Sequence, residues 1–189
     1  LLFEAADALR RRARELGYSE REVYEFAPND KWDEFARAGA SLSLFASRRV
    51  IDLRLPTGRP GTEGAAAITA LLDSPPPDTV LLVTSPTWSK SHETAWVNAL
   101  AAVGPVVVYW PLKPHELPDW IARRATRAGL KLTPDAVGLL VERMEGNLLA
   151  AAQEIDKLVL LAQGRALDAG ALDALVAGIA RFDVFRLVD

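Results

Sequence analysis

The 189 residues carry a net charge of −3, with half of them apolar and a quarter charged, the balance of an ordinary globular protein. That length suffices for one large domain or two small ones with a sizeable core, and the negative balance excludes a chain that binds nucleic acid through overall charge alone. The absence of cysteine excludes a disulfide scaffold, thiolate metal sites and a thiol nucleophile and fits a reducing cytoplasm, while no apolar run approaches the ~18 residues of a membrane span.

In chain order, Leu1 to Leu16 places Leu2, Ala5, Ala6, Leu9, Ala13 and Leu16 at helical spacing, with Gly17 as its stop. The arginines at 10, 11, 12 and 14 read as a solvated face. Val23 to Phe26 is a short strand closed by Pro28 and Asn29. Lys31 to Ala38 is a short amphipathic helix, and Arg49 to Leu55 is the next strand, ended by Pro56. Ala65 to Leu72 is helical, and Val80 to Thr84 is an almost wholly apolar strand, the pattern of one covered on both faces. Glu93 to Val103 is a helix, and Val106 to Tyr109 reads as a further buried strand. Strands alternating with helices predict an α/β domain with a parallel sheet.

After Trp110 the pattern turns wholly helical. Leu117 to Ala128 ends at Gly129, and a second helix starts with Thr133 as cap and Pro134 in its first turn. Gly146 closes that helix, Asn147 caps Leu148 to Ala162, and a fourth helix begins near Asp168. The change from α/β to helical falls near Leu112 to Pro114. Leu1 is not a translation start and the one methionine is Met144, so the expectation is a piece of a longer protein. Arg181 to Asp189 reads as the opening of a further helix.

The stretch Gly39-Ala-Ser-Leu-Ser-Leu-Phe-Ala-Ser-Arg-Arg49 stands apart from this regular pattern. If the helix from Lys31 continues through it, Trp32, Phe35, Ala36 and Gly39 share one side. Leu44 and Phe45 then fall roughly 120 to 140° away, among Asp33, Glu34, Arg37, Ser41 and Arg48. Two large apolar residues on a polar face would form a plug for a partner. If Gly39 instead ends the helix, the phase argument lapses and Leu44 and Phe45 are core residues leading into the next strand.

Constellations for catalysis are scarce. His92 and His115 are the only histidines, neither with an evident serine partner or a carboxylate at metal spacing. Glu4, Asp7, Glu20 and Glu22 read as surface charges. An α/β part followed by helices is the layout of the AAA+ ATPases, yet no Gly-x-x-x-x-Gly-Lys-Ser/Thr phosphate loop occurs in these residues. The strand Val50 to Leu55 runs into Pro56 without the acidic pair that holds magnesium in such enzymes.

Ser43-Leu-Phe-Ala-Ser-Arg-Arg49 resembles the Ser-Leu-Phe-Ala-Ser-Arg segment of the delta subunits of bacterial DNA polymerase III clamp loaders. Leu71-Leu-Asp-Ser-Pro-Pro76 with Val80 to Thr84 is similar to a helix and strand shared by clamp-loader subunits. Glu145-Gly-Asn-Leu-Leu-Ala150 is similar to the delta lid sequence, and Arg181 to Asp189 resembles the start of the delta collar. The resemblance implies an AAA+-like α/β domain over 1–112 that lacks its N-terminal strand. A helical lid over 113–178 and the start of a helical collar domain over 179–189 would follow.

It further implies a non-catalytic subunit without cofactor or metal, in which Leu44 and Phe45 enter a pocket on the sliding clamp. Leu42 would support them, and Ser43, Ser47, Arg48 and Arg49 would form the rim. The implied partners are the beta sliding clamp, the gamma/tau and delta-prime subunits, and primed DNA within the assembled complex, with no membrane. ATP hydrolysis would belong to partner subunits of the holoenzyme in the bacterial cytoplasm, at the nucleoid-associated replisome. In active relatives the third lid helix carries an arginine near its start, where this chain has Leu149. The alternatives are an active AAA+ ATPase whose phosphate loop precedes these residues, and a DNA-binding AAA+ relative.

Overall fold

The structure, a computed structural model, describes residues 1–28, 30–40 and 48–175, the side chains of 38–40 apart. The chain divides into two compact units, Leu1–Tyr109 and Trp110 onward.

In the first unit three parallel strands, β1 (Glu20–Glu25), β2 (Arg49–Arg54) and β3 (Thr79–Thr84), lie in the order β1-β2-β3. Arg49 stands opposite Glu20 on one side and Thr79 on the other. Being central, β2 is buried almost end to end, as its Val-Ile-Asp-Leu run requires. Side chains alternate between the two faces of a strand. Ile51 and Leu53 therefore share one face, and they join a core with Phe26, Trp32, Phe35, Ile68, Leu71, Trp96 and Val97. That core is supplied by α2 (Asp33–Ala40), α3 (Gly61–Asp73) and α4 (Ala95–Val103). Asp52 points to the other face, where α1 (Leu2–Glu15) packs.

Several expectations are corrected here. Val106 to Tyr109 belongs to no strand, and Val106, Val107 and Tyr109 are exposed, Val107 by 63%. An apolar run becomes a buried strand only beside a ladder partner, and among the described residues the sheet ends at β3. On α1 only Ala6 and Ala13 are buried, and Leu9 and the capping Leu16 that follows the helix are exposed, so the contact stripe is narrow and made of small residues. Arg11, Arg12 and Arg14 are exposed as expected, but Arg10 reaches inward to Asp52.

The second unit contains α5 (Leu117–Arg127), α6 (Pro134–Met144), α7 (Leu148–Ala162) and a helical stretch at 169–175. Their shared core includes Leu117, Ile121, Leu140, Ile155, Leu158 and Leu172. Asn147 caps α7 as its position predicts, its side-chain oxygen accepting the N–H of Ala150 at 3.0 Å. Thr133 stands at the start of α6 but does not cap it with its side chain. Its hydroxyl donates to the Leu167 carbonyl at 3.2 Å, beside a parallel bridge between Leu132 and Leu167.

Candidate functional site

The Ser-Leu-Phe stretch joins α2 to β2. Leu42, Ser43, Leu44, Phe45 and Ser47 lie outside the described residues, whereas α2 and β2 on either side are described, the side chains of 38–40 apart. Gly39 is inside α2, which continues to Ala40, so glycine does not end the helix at its own position.

On the N-terminal side, α2 is fixed by two aromatic anchors. Phe35 is 1% exposed and meets Tyr24 edge-on at 5.5 Å, and Trp32 lies 4.2 Å from Phe26. Both partners come from β1 or the residue after it, so the helix is tied to the sheet by rings worth about 0.5 to 1.5 kcal/mol per pair beyond their burial. Asp33 and Glu34 in the first turn and Arg37 in the last complement the helix dipole. Trp32 also closes over Gly64 of α3. A Cβ there would come within 2.4 Å of the indole, so only glycine admits this approach.

On the C-terminal side two arginines hold the start of β2. The Arg48 guanidinium donates to the Leu16 carbonyl at 2.8 Å, lies 5.7 Å over the Tyr18 ring and pairs with Asp78 at 3.4 Å. About half of its side chain stays exposed. Arg49, expected at a binding rim, is instead buried. Its guanidinium donates to Glu22 at 2.9 Å and to the Thr79 hydroxyl at 3.3 Å, joining β2 to both neighbouring strands. Glu22, read as a surface charge, is thus a structural ion-pair partner, and it also accepts the Tyr24 hydroxyl at 2.8 Å. Burial, with Glu22 next, raises the Tyr24 phenol well above its ordinary value. The described residues on the two sides of the connection are therefore tied to the sheet, Trp32 and Phe35 through aromatic rings and Arg49 through its bonds to both neighbouring strands.

The remaining polar groups perform structural tasks. His92 does have a serine beside it: Ser89 Oγ lies 2.8 Å from Nδ1. The same nitrogen accepts the Ser89 N–H at 2.8 Å, and the pair forms the capping box of a single 3-10 turn, Lys90–His92. No carboxylate is bonded to the ring among the described residues, so nothing orients it as the base of a triad. No group of three His, Cys, Asp or Glu among the described residues is placed to hold a metal ion. Leu149, in the first turn of α7, is 68% exposed. Among the described residues no helix is long and apolar enough to cross a membrane.

A three-stranded parallel sheet followed by a helical unit is an α/β fold, and a solved clamp-loader protein shares it. The Bacillus subtilis DNA clamp loader delta protein superposes with a TM-score of 0.70, at 20% identity over 93% of this chain and 54% of that one. Residues 1–108 match the family described as DNA polymerase III, delta subunit. Over its whole length the chain is 34% identical to the DNA polymerase III subunit delta of Escherichia coli (strain K12), covering 55% of that protein. It is 23% identical to the subunit of the same name from Haemophilus influenzae (strain ATCC 51907 / DSM 11121 / KW20 / Rd), covering 56% of it. The chain thus belongs to the DNA polymerase III delta-subunit family, a family of the DNA replication machinery. It spans just over half the length of these two curated relatives.

Proposed function

We propose that this chain is the clamp-engaging part of a clamp loader, which binds one protomer of the DNA sliding clamp and favours the opened ring. Leu44 and Phe45 are the apolar anchors, Leu42 supports them, and Ser43, Ser47 and Arg48 surround them. The observation that carries this reading is family membership over the whole chain together with the Ser-Leu-Phe segment, flanked by two anchored elements. A wedge opens a ring only by fitting its strained or open interface better than the closed one, so affinity must differ between the two states. Anchored flanks suit that task, because the flanking residues are held before binding and add no ordering cost of their own.

In this reading residues 1–112 form the AAA+-like domain, 113–178 the lid and 179–189 the start of the collar, and a further strand N-terminal to these residues pairs with β3. Support for the last point is the composition of the two sheet edges. β1 carries four charged residues, which protect an edge, whereas β3 reads Thr-Val-Leu-Leu-Val-Thr without a charge. Hydrolysis of ATP belongs to gamma/tau partner subunits, delta-prime completes the assembly on primed DNA, and the setting is the bacterial cytoplasm. A pull-down by the full-length protein tests this reading. It should retain the sliding clamp of its own species, and failure to retain it at micromolar concentrations overturns the reading.

A further inference from the structure

Charge in the helical unit is segregated. Residues 113–131 hold five Lys and Arg against two carboxylates, whereas 132–175 hold three against seven. In the acidic part, Arg143 pairs with Asp173, and Lys157 pairs with Glu154 at 2.5 Å. On α5 the pattern is different. Trp120, Arg123, Arg124 and Arg127 are spaced i, i+3, i+4 and i+7, which puts them on one side of the helix. Arg124 lies over the Trp120 ring at 5.5 Å. Arg123 and Arg127 are exposed and make no ion pair among the described residues. They are one turn apart, about 6 Å along the axis.

The helix dipole accounts for cations in the last turn of α5. It does not account for two exposed guanidinium groups one turn apart on a single helix face, neither with an ion-pair partner among the described residues, beside a stacked Trp120–Arg124 pair. We propose that this face of α5 is a docking surface for the phosphate backbone of DNA. Arg123 and Arg127 each take a phosphate, and the Trp120–Arg124 stack forms the rigid floor beside them. Guanidinium presents a planar fork of donors that matches phosphate in two parallel hydrogen bonds, and successive turns of one helix face supply two such forks along a line. The overall charge of −3 does not oppose this, because a screened phosphate feels charges within about 10 Å and not the total. The proposal goes beyond clamp engagement and uses none of the Ser-Leu-Phe residues.

The test is fluorescence anisotropy of a labelled 20-base-pair DNA duplex with the full-length protein at several salt concentrations. The charge-reversed pair Arg123→Glu/Arg127→Glu should bind about tenfold more weakly or worse at low salt. The slope of log affinity against log salt should fall by about 1.8, two phosphate contacts at about 0.9 each. The milder pair Arg123→Gln/Arg127→Gln should lie between reversal and wild type, and Arg123→Lys/Arg127→Lys should keep the slope. Melting temperature and clamp capture should stay unchanged in all three. A full-length protein that does not bind the duplex at low salt overturns the proposal, as does reversal that leaves affinity and slope intact. Reversal that spares DNA but abolishes capture of a protein subunit also overturns it and assigns the face to an acidic protein partner.

Discussion

Arg10 of α1 donates through Nε to the carboxylate of Asp52 at 2.9 Å, and Asp52 sits fully buried in the middle of the central strand. Arg21 of β1 approaches the same oxygen, also at 2.9 Å through Nε, so one buried carboxylate joins a helix and two strands. Burial by itself would raise the Asp52 pKa, but the hydrogen bonds from Arg10 and Arg21 outweigh it and hold the carboxyl below its ordinary value. A depressed folded-state pKa contributes stability that is present above the unfolded value of 3.8 and is lost as pH falls through the folded one.

The first prediction follows from that pairing. Asp52→Ala removes the acceptor that Arg10 and Arg21 share, although Arg10 keeps Asp7 at 2.7 Å and Arg21 is exposed, and should cost about 2 kcal/mol in a urea melt at pH 7. In Asp52→Asn, stability should fall less steeply with acid below pH 4 than in the wild type. A loss under about 1 kcal/mol for the alanine variant, or an unchanged acid slope for the asparagine variant, would show that the cluster is not holding the sheet.

Gly64 gives the second prediction. Helix propensity alone says that alanine in α3 should stabilise by about 1 kcal/mol. The contact with Trp32 says the opposite, since the added methyl cannot fit against the indole without displacing it. Gly64→Ala should destabilise by about 1 to 3 kcal/mol, and near-ultraviolet circular dichroism should report a displaced tryptophan. A stabilised variant would mean that α2 is not locked against α3 as described.

Gly146 gives the third. Its φ is +82°, between α6 and α7, and a Cβ placed there meets nothing within 4 Å. The penalty for a side chain is therefore conformational and not steric. Gly146→Val should cost about 1 to 2 kcal/mol, read as a lowered melting temperature, with clamp capture unchanged. An unaltered melting temperature would contradict it.

The fourth prediction concerns nucleotide. β2 runs through Leu55 into Pro56 with no acidic pair, and α7 opens with an exposed leucine where phosphate would call for a cation. Titrating a fluorescent ATP analogue into the full-length protein should give no saturable signal. Binding in the micromolar range would restore the ATPase reading.

Much of the architecture is legible from the residues, and the exceptions have physical causes. The strands β1 to β3 and the helices α1 to α7 are readable because apolar periodicity and turn residues agree locally, as at Asn147 before α7. Val106 to Tyr109 fails because strand formation is a property of pairs, which a one-dimensional pattern does not contain. The inward role of Arg10 had a signal, an aspartate inside an apolar strand that must find a cation, but its partner lies 42 residues away. Arg49 is similar: adjacent arginines look alike in sequence, but Arg49 opens the central strand and is buried, whereas Arg48 precedes the strand and stays half exposed. The Ser-Leu-Phe stretch stands out in the sequence as an anomaly of helical phase and, through resemblance, as a candidate clamp-binding segment. Its residues from 41 to 47 lie outside the described structure.

The central claim is that Leu44 and Phe45 are anchors for a partner and not core, and one purified variant tests it. Burying such a side chain in a partner's pocket contributes roughly 1.5 to 3 kcal/mol, and interface anchors often cost about 2 kcal/mol or more when truncated. Leu44→Ala/Phe45→Ala in the full-length protein should therefore weaken clamp binding by about 4 kcal/mol, on the order of a thousandfold in Kd. A denaturant melt of the same sample should stay within about 0.5 kcal/mol of wild type. Core residues would instead cost roughly 2 to 5 kcal/mol each in stability. That loss, or intact stability with undiminished clamp binding, would contradict the account.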